Sequence, residues 1–324
     1  DLGALSIRLS GGEPLLRVDF AEIYLFARCL GIEVIIFTNA RLITEELADL
    51  FAEIPPLKKI EVSIYGMSAA SSRAITRTEN AFQESQRGIN YLLERRVPFV
   101  LKSVLLPPNR NEIKNFEAWA GNLPGDLHPS YAGYLDLRAR RDSPDKNHLI
   151  QSLRINPEDC VLLESRINPA FQREMAQFSA RFMFPQGDKL FTCGAGETGC
   201  VDAYGNYQMC TLLRHPDLVY DLKVGTIREA LTEVFPRYKE LRAKNPEYLK
   251  RCANCFLKGL CEQCPAKSWM EYGTLDTPVE YLCQIAHEKA RFLGLINQEE
   301  KAWEVMDWRR RVEEFVSRVD TFDS

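Results

Sequence analysis

Residues 252–264 read CANCFLKGLCEQC, four cysteines in thirteen positions, with Pro265 straight after. A packed apolar element has no need of so much sulfur, whereas a metal site or a set of disulfides does. The chain has 324 residues and ten cysteines, yet its first 150 residues hold only Cys29, and eight cysteines lie between Cys193 and Cys283. Disulfide-built secreted proteins are usually short and poor in core. Thiols gathered in one part of a chain this long favour metal ligation in a reducing compartment, so a cytoplasmic location is expected. The pattern is Cys193-x11-Gly205-x4-Cys210 with Cys200 between, then Cys252-x2-Cys255-x5-Cys261-x2-Cys264, then a distant Cys283. Eight ligands make two sets of four. Zinc and iron both accept a tetrahedral sulfur environment, so spacing alone leaves zinc and iron–sulfur even. Cys29 and Cys160 lack partner spacing and read as buried apolar thiols.

Elsewhere the chain looks like an ordinary globular protein, with 45% hydrophobic and 27% charged residues. A net charge of −4 gives no electrostatic reason to expect nucleic acid or an anionic membrane as partner. Apolar runs such as Val34-Ile35-Ile36-Phe37 fall far below the roughly 20 residues of a membrane helix. Strand-like runs at 5–9, 33–37, 59–64, 99–106 and 131–137 alternate with helical ones at 18–30, 44–51, 82–93 and 112–119. Thr44 is the expected N-cap of the second helix, with Leu47 on its apolar face. Such alternation predicts an α/β fold, a parallel sheet with right-handed crossovers, open or closed as a barrel. Functional residues then belong at the carboxyl ends of the strands. Residues 138–158 read as a linker and 157–178 as a helix. From 191 onward, Cys, Gly and short turns replace periodicity, as where metal sites stand in for a core. Residues 278–293 and 299–319 look helical again, the last carrying a stripe of Val305, Trp308, Val312, Phe315 and Val316 suited to docking on the body. The expected domains are 1–140, 141–190, 191–290 and 291–324.

LSGGEPLL, residues 9–16, follows the first strand and opens a helix. A Gly-Gly turn lets main chain approach a ligand, Glu13 adds a carboxylate, and Pro14 pre-sets a helical start. Gly11-Gly12-Glu13-Pro14 resembles the GGEP element of radical S-adenosylmethionine (SAM) enzymes, where it holds the methionine ammonium of SAM. Thr38-Asn39 is similar to the TN pair of those enzymes. Val62-Ser63-Ile64-Tyr65-Gly66 resembles their VSIDG stretch, with Tyr65 in place of Asp, and Ser63 would approach the SAM carboxylate or ribose. Arg87 looks like the arginine that pairs with the SAM carboxylate; the plainer reading is a solvated helix cation near Glu84.

The eight cysteines resemble the SPASM extension of that family, which carries two auxiliary [4Fe–4S] clusters. The resemblance implies one cluster on Cys193, Cys200, Cys210 and Cys264, and the other on Cys252, Cys255, Cys261 and Cys283. The usual last spacing is x3, whereas Cys261 and Cys264 are separated by x2. It also implies a partial (βα)6 TIM-like barrel and a third [4Fe–4S] cluster binding SAM on a Cys-x3-Cys-x2-Cys loop. That motif is absent from the sequence given, which starts ten residues before Gly11. N-terminal truncation is the expected reason; without the motif and the first βα unit, the chain alone should do no SAM chemistry.

By the same resemblance the whole protein is a radical SAM oxidoreductase of peptide-maturase type. It would generate a 5′-deoxyadenosyl radical and abstract hydrogen from a ribosomally made precursor peptide, forming a thioether or carbon–carbon crosslink. The expected partners are that peptide, a leader-binding domain or protein, and a flavodoxin- or ferredoxin-type electron donor. Residues 274–287 (TLDTPVEYLCQIAH) look like the corresponding stretch of peptide-crosslinking members. The rivals are a radical dehydrogenase or epimerase acting on a small molecule, and a non-catalytic metal-bound scaffold. Lys102, Tyr134, Asp136 and Arg138 are polar candidates near the barrel mouth.

Overall fold

The computed structural model describes residues 2–123, 130–132, 144–167 and 170–320. The chain divides into two compact units, Asp1–Tyr134 and Leu135–Ser324.

In the first unit, strands β1 (Ser6–Leu9), β2 (Glu33–Thr38), β3 (Leu57–Ile64), β4 (Phe99–Val104) and β5 (Ser130–Ala132) form a parallel sheet in sequential order. Between them run helices α1 (Phe20–Cys29), α2 (Glu45–Glu53), α3 (Ala69–Thr76), α4 (Ala81–Glu94) and α5 (Ile113–Gly121). Alternate strand residues Val34, Ile36, Ile60, Val62, Phe99 and Leu101 share one core with Tyr24, Phe51, Ile89, Leu92 and Phe116 of the helices. Successive side chains on a strand point to opposite faces, so the helices cover one face and Phe37, Glu61, Ser63 and Lys102 belong to the other. Burying the large side chains Phe51 and Ile89 contributes roughly 1.5–3 kcal/mol each. Tyr24 meets the Phe51 ring edge-on at 5.3 Å and donates its hydroxyl to the Ile54 carbonyl, fixing α1 against the end of α2.

Helix α2 starts where expected, with the Thr44 hydroxyl accepting from Leu47 N at 3.3 Å. Helix α3 has no apolar periodicity strong enough to announce it. It forms because Ser68 and Ser71 build a capping box and the Glu112 carboxylate accepts from Met67 N, Ser68 Oγ and Ser71 Oγ. In α4, Gly88 packs against the loop after β2 so closely that a Cβ there would lie 2.0 Å from the Ala40 carbonyl oxygen. Cys29 is exposed, not buried as expected, because the buried face of α1 runs through Phe20, Tyr24 and Ala27 and turns away from it.

The second unit opens with α6 (Pro144–Ser152), a helix inside the stretch read as a linker; Pro144 stands at its first position, where the missing N–H costs nothing. Next come α7 (Pro157–Ile167) and α8 (Phe171–Ala180), two helices in the span read as one. A small antiparallel sheet, β6 (Cys200–Val201), β7 (Asn206–Gln208) and β8 (Val219–Asp221), follows. Short helix α9 (Ile227–Glu229) passes through a π turn, Ala230–Val234, into α10 (Phe235–Lys239), and α11 (Pro246–Lys250) leads to the cysteine-dense stretch. Helices α12 (Pro265–Tyr272), α13 (Glu280–Phe292) and α14 (Trp308–Asp320) complete the chain. Residues 299–307 are not part of a long last helix as expected; Asn297 N caps back onto the Glu300 carboxylate, which Arg311 then grips at 2.6 and 2.8 Å. The stripe on α14 does dock: Phe315 is buried with Phe256, Leu257 and Leu293, and Trp308 stacks on Phe256. Among the described residues no helix is long and apolar enough to cross a membrane.

Candidate cofactor site and thiol pocket

The turn after β1 delivers Glu13, whose carboxylate is wholly occupied within the chain. Its Oε1 accepts from Leu15 N at 3.2 Å and Thr38 Oγ1 at 2.8 Å, and its Oε2 accepts from Asn39 N at 2.8 Å. Glu13 therefore ties the Gly11-Gly12 turn to the carboxyl end of β2. Gly11 holds φ +142°, and nothing lies within 4 Å of where a Cβ on Gly11 or Gly12 would project, so main chain there is open to a ligand. Pro14 is buried at the head of a short 3-10 turn, Pro14–Leu16. Thr38 Oγ1 also accepts from Ala40 N, and the Asn39 side chain accepts from Arg41 N. Charge-assisted bonds of the Glu13 kind contribute roughly 1.5–3 kcal/mol each.

A pocket opens beside this staple, at the carboxyl ends of β2 and β3. Asn39, Arg41, Tyr65 and Gly66 line it from the loops, Ile75 and Thr76 from α3, Ser85 and Gln86 from α4. Of the residues expected to bind SAM, Asn39 lines it directly, and Thr38 and the Gly11–Pro14 turn join it through Glu13. Ser63 is half-buried on β3 and does not line it. Arg87 is exposed and lies outside the lining. Helix α4 turns Ala81, Gly88, Ile89 and Leu92 inward, and Arg87 follows Ser85 by about 200° of helix rotation, on the other side. The cation in the pocket wall is Arg41, paired with Glu84 at 2.6 Å. Arg41 follows the TN pair directly, but its orientation depends on Ala40 adopting φ +61°, which sequence does not announce.

On the helix-free face, Glu61 is 4% exposed and holds two ammonium groups, Lys59 at 2.8 Å and Lys102. Burial alone would raise its carboxyl, but hydrogen bonds from Lys102 and Lys59 outweigh that and hold it below the usual carboxylate range. Lys102 also sits 5.1 Å from the Phe37 ring centroid. The alternation Lys59–Glu61–Ser63 was the available signal for this group. Tyr134, Asp136 and Arg138 lie outside the described residues.

In the second unit, Cys252, Cys255, Cys261 and Cys283 line one pocket together with Tyr248, Arg251, Gln263, His287 and Trp303. Cys252 and Cys255 sit on the turn after α11, Cys261 on the turn before α12, and Cys283 on the first turn of α13. The buried Gln263 amide joins these pieces: it donates to Ser268 Oγ at 2.7 Å, accepts from Val279 N at 2.9 Å, and its main-chain N–H points at Cys261 Sγ at 3.5 Å. Sequence reading passed over Gln263, one of only two residues between Cys261 and Cys264. Burial pushes the thiols up, Cys261 to about 11 and Cys252 to about 12, with Cys255 higher still, and each would resist ionising beside its neighbours. Four thiols so placed are poor isolated anions and good ligands for a cationic core that deprotonates them.

The other four expected ligands are less evenly placed. Cys210 lies near enough to Cys200 and to Cys264 for its charge to oppose their ionisation, while Cys193 is exposed. Cys264 is the N-cap residue of α12; burial raises its thiol, and the nearby main-chain N–H groups of Lys267 and Ala266 oppose that rise. Among the described residues no three His, Cys, Asp or Glu side chains converge closely enough to hold a single metal ion. Cys160 is buried beside the Tyr281 hydroxyl.

Residues 1–120 match the model of the radical SAM superfamily. An AdoMet-dependent heme synthase of Methanosarcina barkeri is 26% identical over 284 residues, 84% of this chain and 80% of that one. A PqqA peptide cyclase of Methylorubrum extorquens is 29% identical over 163 residues, 48% of this chain and 41% of its own. Among solved structures, anSMEcpe with bound AdoMet has a TM-score of 0.58 at 15% identity, covering 98% of this chain and 83% of that chain. The same protein with AdoMet and a Cp18Cys peptide also has a TM-score of 0.58, covering 96% and 86%. The parallel sheet, the glycine turn stapled by Glu13 and the match over residues 1–120 lead to one conclusion: through that segment the chain is similar to the radical SAM superfamily.

Proposed function

We propose that the protein is a peptide-modifying radical SAM enzyme that installs a thioether or carbon–carbon crosslink in a ribosomally made precursor, with two auxiliary [4Fe–4S] clusters on its eight clustered cysteines. The observation that carries this reading is the pocket shared by Cys252, Cys255, Cys261 and Cys283. Four thiolates on one zinc converge on a point about 2.3 Å from each sulfur, whereas a cube with one thiolate per iron needs them spread around a cavity. A pocket lined by four separated thiols favours the cube.

SAM, when bound with its reducing cluster, supplies a carbon-centred radical that takes a hydrogen atom from the substrate. The chain's own part is to hold and shield. Open main chain at Gly11 and Gly12 suits the amino group of SAM, and the Asn39–Arg41 loop presents an amide and a guanidinium to its carboxylate and ribose. Ser63 and Arg87 remain candidates by resemblance alone. Glu13 keeps both loops in register, and Ile75 and the Phe82 ring supply apolar wall to the pocket. The similarity to a PqqA peptide cyclase and the fold shared with the peptide-bound anSMEcpe support a peptide as substrate.

A second reading, a small-molecule substrate, is favoured by coverage: the heme synthase of Methanosarcina barkeri aligns over 80% of its length, the cyclase over 41%. The deciding experiment begins with anaerobic purification and iron and sulfide analysis. The expected content is about eight irons per chain, four for each cube; two zinc ions without sulfide overturn the proposal. Incubating a reduced, SAM-loaded form of the protein that carries a Cys-x3-Cys-x2-Cys segment with candidate precursor peptides and with tetrapyrroles then separates the substrates by mass spectrometry. Loss of two hydrogens from a peptide supports the first reading, and turnover of the tetrapyrrole alone replaces it with the second.

A further inference from the structure

Arg251 stands immediately before Cys252, and its guanidinium is held on three sides. Nη1 and Nη2 donate to the two carboxylate oxygens of Glu280 at 2.6 and 3.0 Å. The guanidinium carbon lies 4.7 Å from the Trp303 ring centroid. Nη2 also donates to Cys283 Sγ at 3.6 Å, and Arg251 and Trp303 both line the four-thiol pocket. The side chain is only 17% exposed. A helix-anchoring ion pair needs Glu280 alone. The bond to sulfur does nothing for that pair, and the stacked Trp303 keeps the guanidinium from swinging away to solvent. Hydrogen bonds to ligating sulfurs and nearby net charge are the main means by which a protein sets an iron–sulfur potential.

We infer that Arg251 is a positioning residue that raises the reduction potential of the cluster held by Cys252, Cys255, Cys261 and Cys283, with Glu280 moderating its effect. The inference rests on the reading that those four thiols hold a [4Fe–4S] cluster. The step concerned is the uptake of one electron by a 2+ cluster to give a 1+ cluster; no bond breaks and no proton moves. In the test the electron comes from dithionite through redox mediators. The guanidinium charge and its N–H bond stabilise the more negative, reduced cluster, and the Glu280 carboxylate opposes it.

Redox titrations of the anaerobic full chain, followed by electron paramagnetic resonance, test this. Arg251→Gln should leave iron and sulfide content intact and lower one cluster's potential alone. The expected size is a roughly tenfold smaller reduced-to-oxidised ratio at fixed potential, about 59 mV for one electron. Glu280→Gln should move the same signal upward, and Arg251→Lys, which keeps charge but loses the fork, should fall between wild type and Arg251→Gln. Full clusters with unchanged potentials in Arg251→Gln overturn the inference, as do shifts of one sign in both Gln variants. If Arg251→Gln loses its iron, Glu280→Gln decides alone: a rise supports the inference and no change ends it. A wild type without clusters instead removes the reading beneath.

Discussion

Beneath the Gly11–Pro14 and Asn39–Arg41 loops of Asp1–Tyr134 runs one apolar core, from Phe20 through the strands to Phe116. Leu135–Ser324 has two separate cores, one taking in Cys255 and Cys261, the other Cys252, Cys210 and Cys264. The four-thiol pocket thus draws cysteines from both. In the first unit the site is a refinement of a scaffold that stands on its own burial. In the second, a cluster held by the thiols, as proposed, would brace the two cores against each other.

That contrast makes removal of the proposed cluster the change with the largest expected effect. Cys283→Ser should lose about four irons, and hydrogen exchange should rise across both cores of the second unit while β2–β4 of the first stay protected. Equal loss in both units would erase the distinction. Gly88→Ala probes the other side, since its Cβ has no room against Ala40. The expected cost is about 1–3 kcal/mol by denaturant unfolding of the first unit, together with weaker SAM binding and unchanged iron content. Glu13→Gln should be milder for stability but sharper for function. It keeps shape and loses charge on the staple to Thr38 and Asn39, so calorimetry should show SAM binding weakened roughly tenfold, about 1.4 kcal/mol.

The smallest effect concerns acid. The Glu61 carboxyl lies below its ordinary value of 4.5 in the folded protein because Lys102 and Lys59 outweigh its burial. A group with a depressed folded value contributes stability that is present above the unfolded value and lost as pH falls through the folded one. The first unit should therefore lose stability as pH falls from about 4.5, and Glu61→Gln should flatten that part of the profile. A profile identical to wild type would show the carboxylate to be indifferent to its two lysines.

Much of this was readable along the chain. The βα alternation and the Thr44 cap depend on residues close in sequence, where strand and helix periods and turn chemistry act locally. The misses have causes of two kinds, one distant and one local. Helix α3, rich in Ser and Ala, is stabilised by Glu112, which lies 41 residues beyond Ser71. Helix α6 looked like a linker because it buries no side chain.

What spacing left undecided is who meets whom. That Cys252, Cys255, Cys261 and Cys283 share a wall depends on Gln263 tying α12 to α13. That Arg41 and not Arg87 faces the pocket at the ends of β2 and β3 depends on how α4 rolls to seat Gly88 against Ala40. A sequence sets the period of each element through short-range sterics. The rotation of one element on another is set by close packing among residues far apart in the chain, where a fraction of an ångström decides which side chain has room.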